Sequence, residues 1–164
     1  YLTPTGNRSY EPASLAVDRT VYVDVEKGRI KGFDGDDETV ARVRRHYKTV
    51  SDIFGIDPEF VHSWHAGIHA GATFGKAAAD DPDRWSNSVF TNPRFLHIHT
   101  CGAYAPGEIC WMVLDPTVSV DGKDLWGSGR LSIDEFEPLR RQVEKWPVLA
   151  ELLANPSNDI GVPT

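Results

Sequence analysis

Between Thr20 and Gly55 the apolar period of this chain switches once, from two to 3.6, and that switch decides the fold class. In TVYVDVEKGRIKGF, Val21, Val23 and Val25 alternate with Tyr22, Asp24 and Glu26, the pattern of a strand with one covered face. Lys27-Gly28 is a turn pair, and Arg29–Phe33 returns as the second strand of a hairpin. The following segment, DDETVARVRRHYKTVSDIFG, places Val40, Val43, Tyr47, Val50 and Phe54 at helical spacing. Asp36 or Asp37 caps that helix and Gly55 ends it. A hairpin feeding a long amphipathic helix excludes all-α and all-β architectures.

The rest of the chain extends the pattern. Residues 56–85 fit two readings, a helix through DPEFVHSWHAGIHAG or a strand at Phe60–Trp64 followed by a loop, and Gly67, Gly71 and Gly75 favour the loop. AAADDPDRW reads as an exposed turn. RFLHIHTC reads as a strand with Phe95, His97, His99 and Cys101 on one face, and EICWMVLDP as a strand covered on both. Val118–Val120 and Lys123–Trp126 flank Asp121-Gly122, a two-residue hairpin signal. Ser132 and Glu135 form a capping-box pattern for a helix running to Lys145, and Pro147 opens another, PVLAELLA. The expected architecture is α+β: a mixed or antiparallel sheet with hairpins, one central amphipathic helix and C-terminal helices. Residues 1–19, with Pro4, Gly6 and Pro12, read as an extended N-terminal segment, and residues 20–164 as a single α+β domain.

Charge narrows the partners. The net charge is −7 and the pI about 5.3, so no basic surplus exists to neutralise nucleic-acid phosphates or an anionic membrane. Arg42, Arg44 and Arg45 fall on the helix and read as its solvated face. No run of apolar residues is long enough to span a bilayer, and no secretory leader is visible. With Cys101 and Cys110 expected as reduced thiols rather than a disulfide, the expected location is cytoplasmic.

Five of the six histidines lie between residues 62 and 99: His62, His65 and His69 in HSWHAGIHAG, then His97 and His99 in FLHIHTCG. Imidazole is the commonest ligand of catalytic transition metals and titrates near neutrality. Two histidines at i and i+2 on a strand project to the same face and can share one ion without bending the backbone. His62, His65, His97 and His99 are therefore the expected metal ligands. His69, Tyr104 and Glu108 are the expected catalytic groups, with Glu108 as ligand or base and His69 or Tyr104 steering protons. Trp64, Trp85 and Trp111 can supply an aromatic wall, and Arg84 or Arg94 can fork a substrate carboxylate. Asp115 before Pro116 reads as a turn residue, and His46 as a half-exposed helix residue outside the site. The chain has no glycine-rich phosphate loop, no GxSxG elbow and no HExxH.

The order hairpin, acidic-capped helix, HSWHAGIHAG, RW, RFLHIHTCG and VSVDGKDLW resembles the C-terminal metal-binding half of the aminopeptidase T family. It is more similar still to the related 2,5-dihydroxypyridine dioxygenases, over roughly residues 20–130. Those enzymes carry a His before a W-G-x-N-P segment, an H-x-D pair on a strand, and a V-x-x-D-G hairpin. The resemblance implies His62 or His65 as first ligand and His97 as second, with His99 standing where the family has Asp. It implies a mononuclear ferrous site that opens a small aromatic N-heterocycle with dioxygen. Family members are longer, so the resemblance implies that the missing half is a separate chain, a lost segment or unnecessary, and the expected state is a homo-oligomer or a partner chain completing the site. Three functions are expected in order. The first is a non-haem iron dioxygenase on a small aromatic or heteroaromatic substrate. The second is a zinc- or manganese-dependent hydrolase of the aminopeptidase type, with Glu108 activating water. The third is a non-catalytic subunit or interaction domain.

Overall fold

The computed structural model describes residues 1–4, 10–102 and 106–163, and the fold is α+β. The chain divides into two compact units, residues 1–64 with 97–112, and residues 65–96 with 113–164.

In the first unit, β2 (Val21–Glu26) and β3 (Arg29–Gly35) pair antiparallel, with a register shift between Asp24 and Val25. Lys27 and Gly28 both take left-handed backbone, φ 51° and 73°, as a two-residue turn that matches strand twist requires. Helix α1 (Asp37–Phe54) starts where Asp36 accepts from the Thr39 amide at 3.0 Å. It stops where Gly55, at φ 62°, donates its amide to Ser51 O at 2.8 Å. The buried stripe of α1 includes Val43, Tyr47 and Val50, which pack with Leu2, Ile30, Cys101 and Ile109.

Four further strands, β1 (Leu2–Thr3), β4 (Val61–Ala66), β5 (Phe95–Cys101) and β6 (Glu108–Leu114), join in the order β1-β6-β5-β4. The two strands that carry His97, His99, Glu108 and Cys110 are thus the inner pair, and β4 is an edge. β1 sets Leu2 opposite Trp111 and Thr3 opposite Cys110. The strand-then-loop reading of residues 56–85 holds, since VHSWHA is β4 and a glycine-containing loop follows. EICWMVL is covered only as far as Met112, because Val113 and Leu114 are exposed.

His46 differs from its expectation as a half-exposed residue. It is buried on α1, 6.5 Å from the Tyr10 ring, and its Nε2 has no hydrogen-bond partner among the described residues. Burial lowers its pKa below the ordinary imidazole value, so the fold holds it neutral. Below that ordinary value, about 6.5, the unfolded chain takes up a proton that the folded chain resists. Stability should therefore fall as pH drops from about 6.5 towards the folded pKa, and stay flat above that. Urea midpoints of the metal-free chain and of His46→Leu, measured on both sides of about 6.5, check this. Equal pH slopes in the two chains would refute it.

In the second unit, Trp85 on α2 (Pro82–Val89) is the centre of the core. Its ring meets Phe95 edge-on at 5.4 Å, and its Nε1 donates to Ile160 O at 2.7 Å. α2 replaces the turn expected at AAADDPDRW. Asp81 accepts from the Arg84 amide at 3.2 Å and Pro82 takes the first helical position, a start signal that outweighs the polar composition. β7 (Val118–Val120) and β8 (Lys123–Gly127) form the expected hairpin on Asp121 and Gly122, φ 51° and 77°. A second tight turn, Ser128-Gly129, adds β9 (Arg130–Leu131).

The capping box at Ser132 does not form. Residues Ile133–Glu135 make a single 3-10 turn without a side-chain cap, and the helix, α3, runs Glu137–Lys145. Pro138 has no amide to donate, so it is tolerated only in the first turn, and a helix capped by Ser132 would put it in the second. α4 (Pro147–Ala154) follows as expected.

Candidate metal centre

β5 places His97 and His99 on one face by simple alternation, with ring centroids 4.5 Å apart and planes 52° from parallel. β6 brings Cys110 to the same place, its Sγ 3.6 Å from His99 Nδ1. One ligand atom from each of His97, His99 and Cys110 lies within 4.8 Å of the other two. A tetrahedral zinc ion with bonds of about 2.0–2.3 Å needs its donors roughly 3.4–3.7 Å apart, so a shift of about 1 Å closes the shell. The donor set fits one borderline-soft divalent ion: two imidazoles and a thiol that binds as thiolate. His97 is buried, Cys110 has no exposed surface, and the His99 side chain keeps 17% of its own.

Glu108 stands beside this group. It is 2% exposed, and its carboxylate is hydrogen-bonded to His99 Nδ1. It does not come within ligand distance of the whole group, which among the described residues consists of His97, His99 and Cys110.

The other face of the same two strands is tied to α1. Thr100, next to His99, shares a hydrogen bond with the Tyr47 hydroxyl and donates to Ile109 O at 2.9 Å. Trp111, next to Cys110, donates from Nε1 to the same Tyr47 oxygen. Burial pushes the Tyr47 phenol well above its ordinary range, so it stays neutral and holds both strands as a fixed post. The neighbours of two candidate ligands are thereby anchored to one helix residue.

The remaining candidates stand elsewhere. His62 is exposed on β4, and its Nε2 donates to Cys101 O at 2.8 Å. His65 and His69 are exposed, and none of the three belongs to the metal-competent group. Tyr104 lies outside the described residues. Cys101 leaves the file of His97 and His99: its backbone turns left-handed at φ 67° and its side chain packs among Val43, Val50 and Ile109. Burial pushes its thiol up to about 11, which suits a core residue and not a ligand.

The tryptophans are accounted for by their own packing. Trp85 is core, Trp111 is bonded to Tyr47, and Trp64 is 52% exposed. Arg94 is not free to grip a substrate, because Asp115 takes its fork at 2.7 and 2.6 Å and Asn158 accepts from Nη1 at 3.1 Å. Asp115 does sit in a turn, at φ 47°. Arg84 is exposed on α2.

Cys110 is the member of the candidate group that the sequence reading does not include. Its signal is its place two residues after Glu108 on a strand, which sets both on one face. Among the described residues no helix is long and apolar enough to cross a membrane. No protein-family model, curated protein or solved structure matches the chain, so the reading of the site rests on its own geometry.

Proposed function

We propose that this chain is a metal-dependent enzyme whose single ion is held by His97, His99 and Cys110. The observation that carries the reading is the convergence of those three donors, from two neighbouring strands, within 4.8 Å of one another. Three protein donors leave one position of a tetrahedral ion for water, for substrate or for a donor from a second chain. A bound ion there supplies Lewis-acid polarisation and a lowered pKa for its water. The chain's own residues hold the donors in a dry strand face and exclude solvent from all but the His99 edge.

The thiol favours zinc over manganese, since soft donors select against oxygen-loving ions. Hydrolysis of a small substrate is the reaction that an open zinc site of this kind supports in this reading. A second reading, the ferrous dioxygenase on a small aromatic substrate, is favoured by one observation. Glu108 stands beside His99, and in Cys110's place it would complete the two-histidine, one-carboxylate set typical of such iron sites. A cytoplasmic location suits a thiolate-bearing centre, because reducing conditions keep Cys110 available.

Metal analysis of chain purified without a histidine tag tests this. The expected result is about one zinc or iron ion per chain, and near-zero occupancy in His97→Ala and His99→Ala. Hydrolysis of ester or amide substrates by the zinc form supports the first reading, and oxygen uptake with hydroxylated pyridines by the iron form supports the second. A wild-type chain that stays metal-free after incubation with both ions refutes the proposal.

A further inference from the structure

We infer that Glu108 is a positioning residue for the metal centre: it holds His99 by Nδ1 and so presents Nε2 to the ion. This rests on the metal reading above and adds to it a residue that acts through a ligand. Three observations converge. Glu108 is buried, its carboxylate is bonded to His99 Nδ1, and it lies outside the group of donors that can share one ion. A buried carboxylate bonded to an imidazole is the arrangement by which proteins fix the tautomer and ring angle of a metal-bound histidine. Free imidazole offers either nitrogen, and only the Nδ1–H form leaves Nε2 as the lone-pair donor.

The contact also settles a competition. Cys110 Sγ lies 3.6 Å from the same Nδ1. Were the carboxylate absent, Nδ1 would be open to accept from the thiol, with the ring proton on Nε2 and its lone pair lost to the ion. With Glu108 holding the Nδ1 proton, that nitrogen carries no lone pair for the Cys110 thiol to donate to. One carboxylate thus keeps His99 in its binding form.

The test uses the full chain with and without zinc. Side-chain nitrogen NMR of the metal-free protein reads the His99 tautomer directly. The wild type is expected to show Nδ1–H, Glu108→Gln to keep it, because the amide oxygen still accepts, and Glu108→Ala to shift towards Nε2–H. Zinc affinity, measured by competition with a chromophoric chelator, is expected to fall on the order of 10–100-fold in Glu108→Ala at unchanged stoichiometry. Glu108→Gln should recover most of that loss. If Glu108→Gln and Glu108→Ala both abolish stoichiometric zinc binding while the tautomer is unmoved, Glu108 is a ligand and the inference is wrong. If neither variant changes tautomer or affinity, the contact is only packing, and the metal centre stands without it. A wild type that takes up no zinc overturns both readings, and the metal-free NMR still reports whether Glu108 holds His99.

Discussion

Cys110→Ser is expected to leave the strand pair folded and to cost the centre more than the roughly 100-fold upper limit that an orienting partner contributes to metal affinity. Serine keeps the volume but stays protonated at neutral pH, so it offers no anionic donor. The remaining imidazoles then hold the ion with two bonds. Substitution of cobalt for zinc makes the difference visible. Wild-type chain should show an intense thiolate-to-cobalt charge-transfer absorption in the near ultraviolet, and Cys110→Ser should lack it. Cys101→Ser, in contrast, should keep that absorption, because Cys101 lies in the apolar cluster under α1. Thermal melts give an independent measure. An ion that binds only the folded chain stabilises it by about 2.7 kcal/mol at a hundredfold excess over Kd. That gain should appear for the wild type on zinc addition and vanish for Cys110→Ser. Equal cobalt spectra in the two chains would remove Cys110 from the site.

The residues of the candidate centre are half legible in the sequence. Alternation alone puts His97 and His99 on one strand face, and Glu108 is the next carboxylate along the chain. Cys110 is not legible in this way, because spacing along the chain says nothing about which residues meet across a strand pair. The hairpin closure that brings them together, with the Gly102 amide bonded to Gly107 O at 2.9 Å, is a tertiary fact. The first histidine cluster misleads for a related reason. Nearness in sequence to HIH suggests a shared ion, but His62 turns its Nε2 to a backbone carbonyl and stays exposed on the edge strand.

Elsewhere, local signals win or lose by identifiable chemistry. The hairpins at Lys27-Gly28 and Asp121-Gly122 are readable because both turn residues must take positive φ. The capping pattern at Ser132 fails because a proline six residues on, Pro138, overrides it. At Asp81-Pro82 the balance is reversed, and the cap prevails over a composition that favours a turn.

Gly67 is where the largest loss of stability is expected. A Cβ built on it falls 2.3 Å from both C and O of Thr91 and 2.4 Å from the Asn92 carbonyl oxygen. Carbon atoms in contact prefer about 3.5–4.0 Å, so Gly67→Ala demands a displacement of more than about 1 Å. All three clashing atoms are backbone, and no side chain can swing aside.

The backbone around them is also stitched down. His69 donates its amide to Thr91 O at 2.7 Å, and fully buried Asn92 donates from its side chain to Ala72 O at 2.9 Å. Asn92 also accepts from the Arg94 amide at 3.0 Å and, through its carbonyl, from Phe95 at 2.9 Å. Moving the loop away from Thr91 and Asn92 therefore breaks the His69–Thr91 and Asn92–Ala72 hydrogen bonds, beyond the steric cost. Overpacking by one methyl ordinarily costs about 1–3 kcal/mol. With rigid backbone on the far side, Gly67→Ala should sit at or above the top of that range. For a chain of this length about 3 kcal/mol is a fall in Tm of roughly 6–12 °C.

Gly75→Ala is the matched control from the same loop region, since the nearest atom to its Cβ is Asp159 Oδ2 at 3.9 Å, an ordinary contact. Its melt should stay near the wild type. If Gly67→Ala melts with Gly75→Ala, the close approach of these two backbone segments is not what the sequence spends its glycine on.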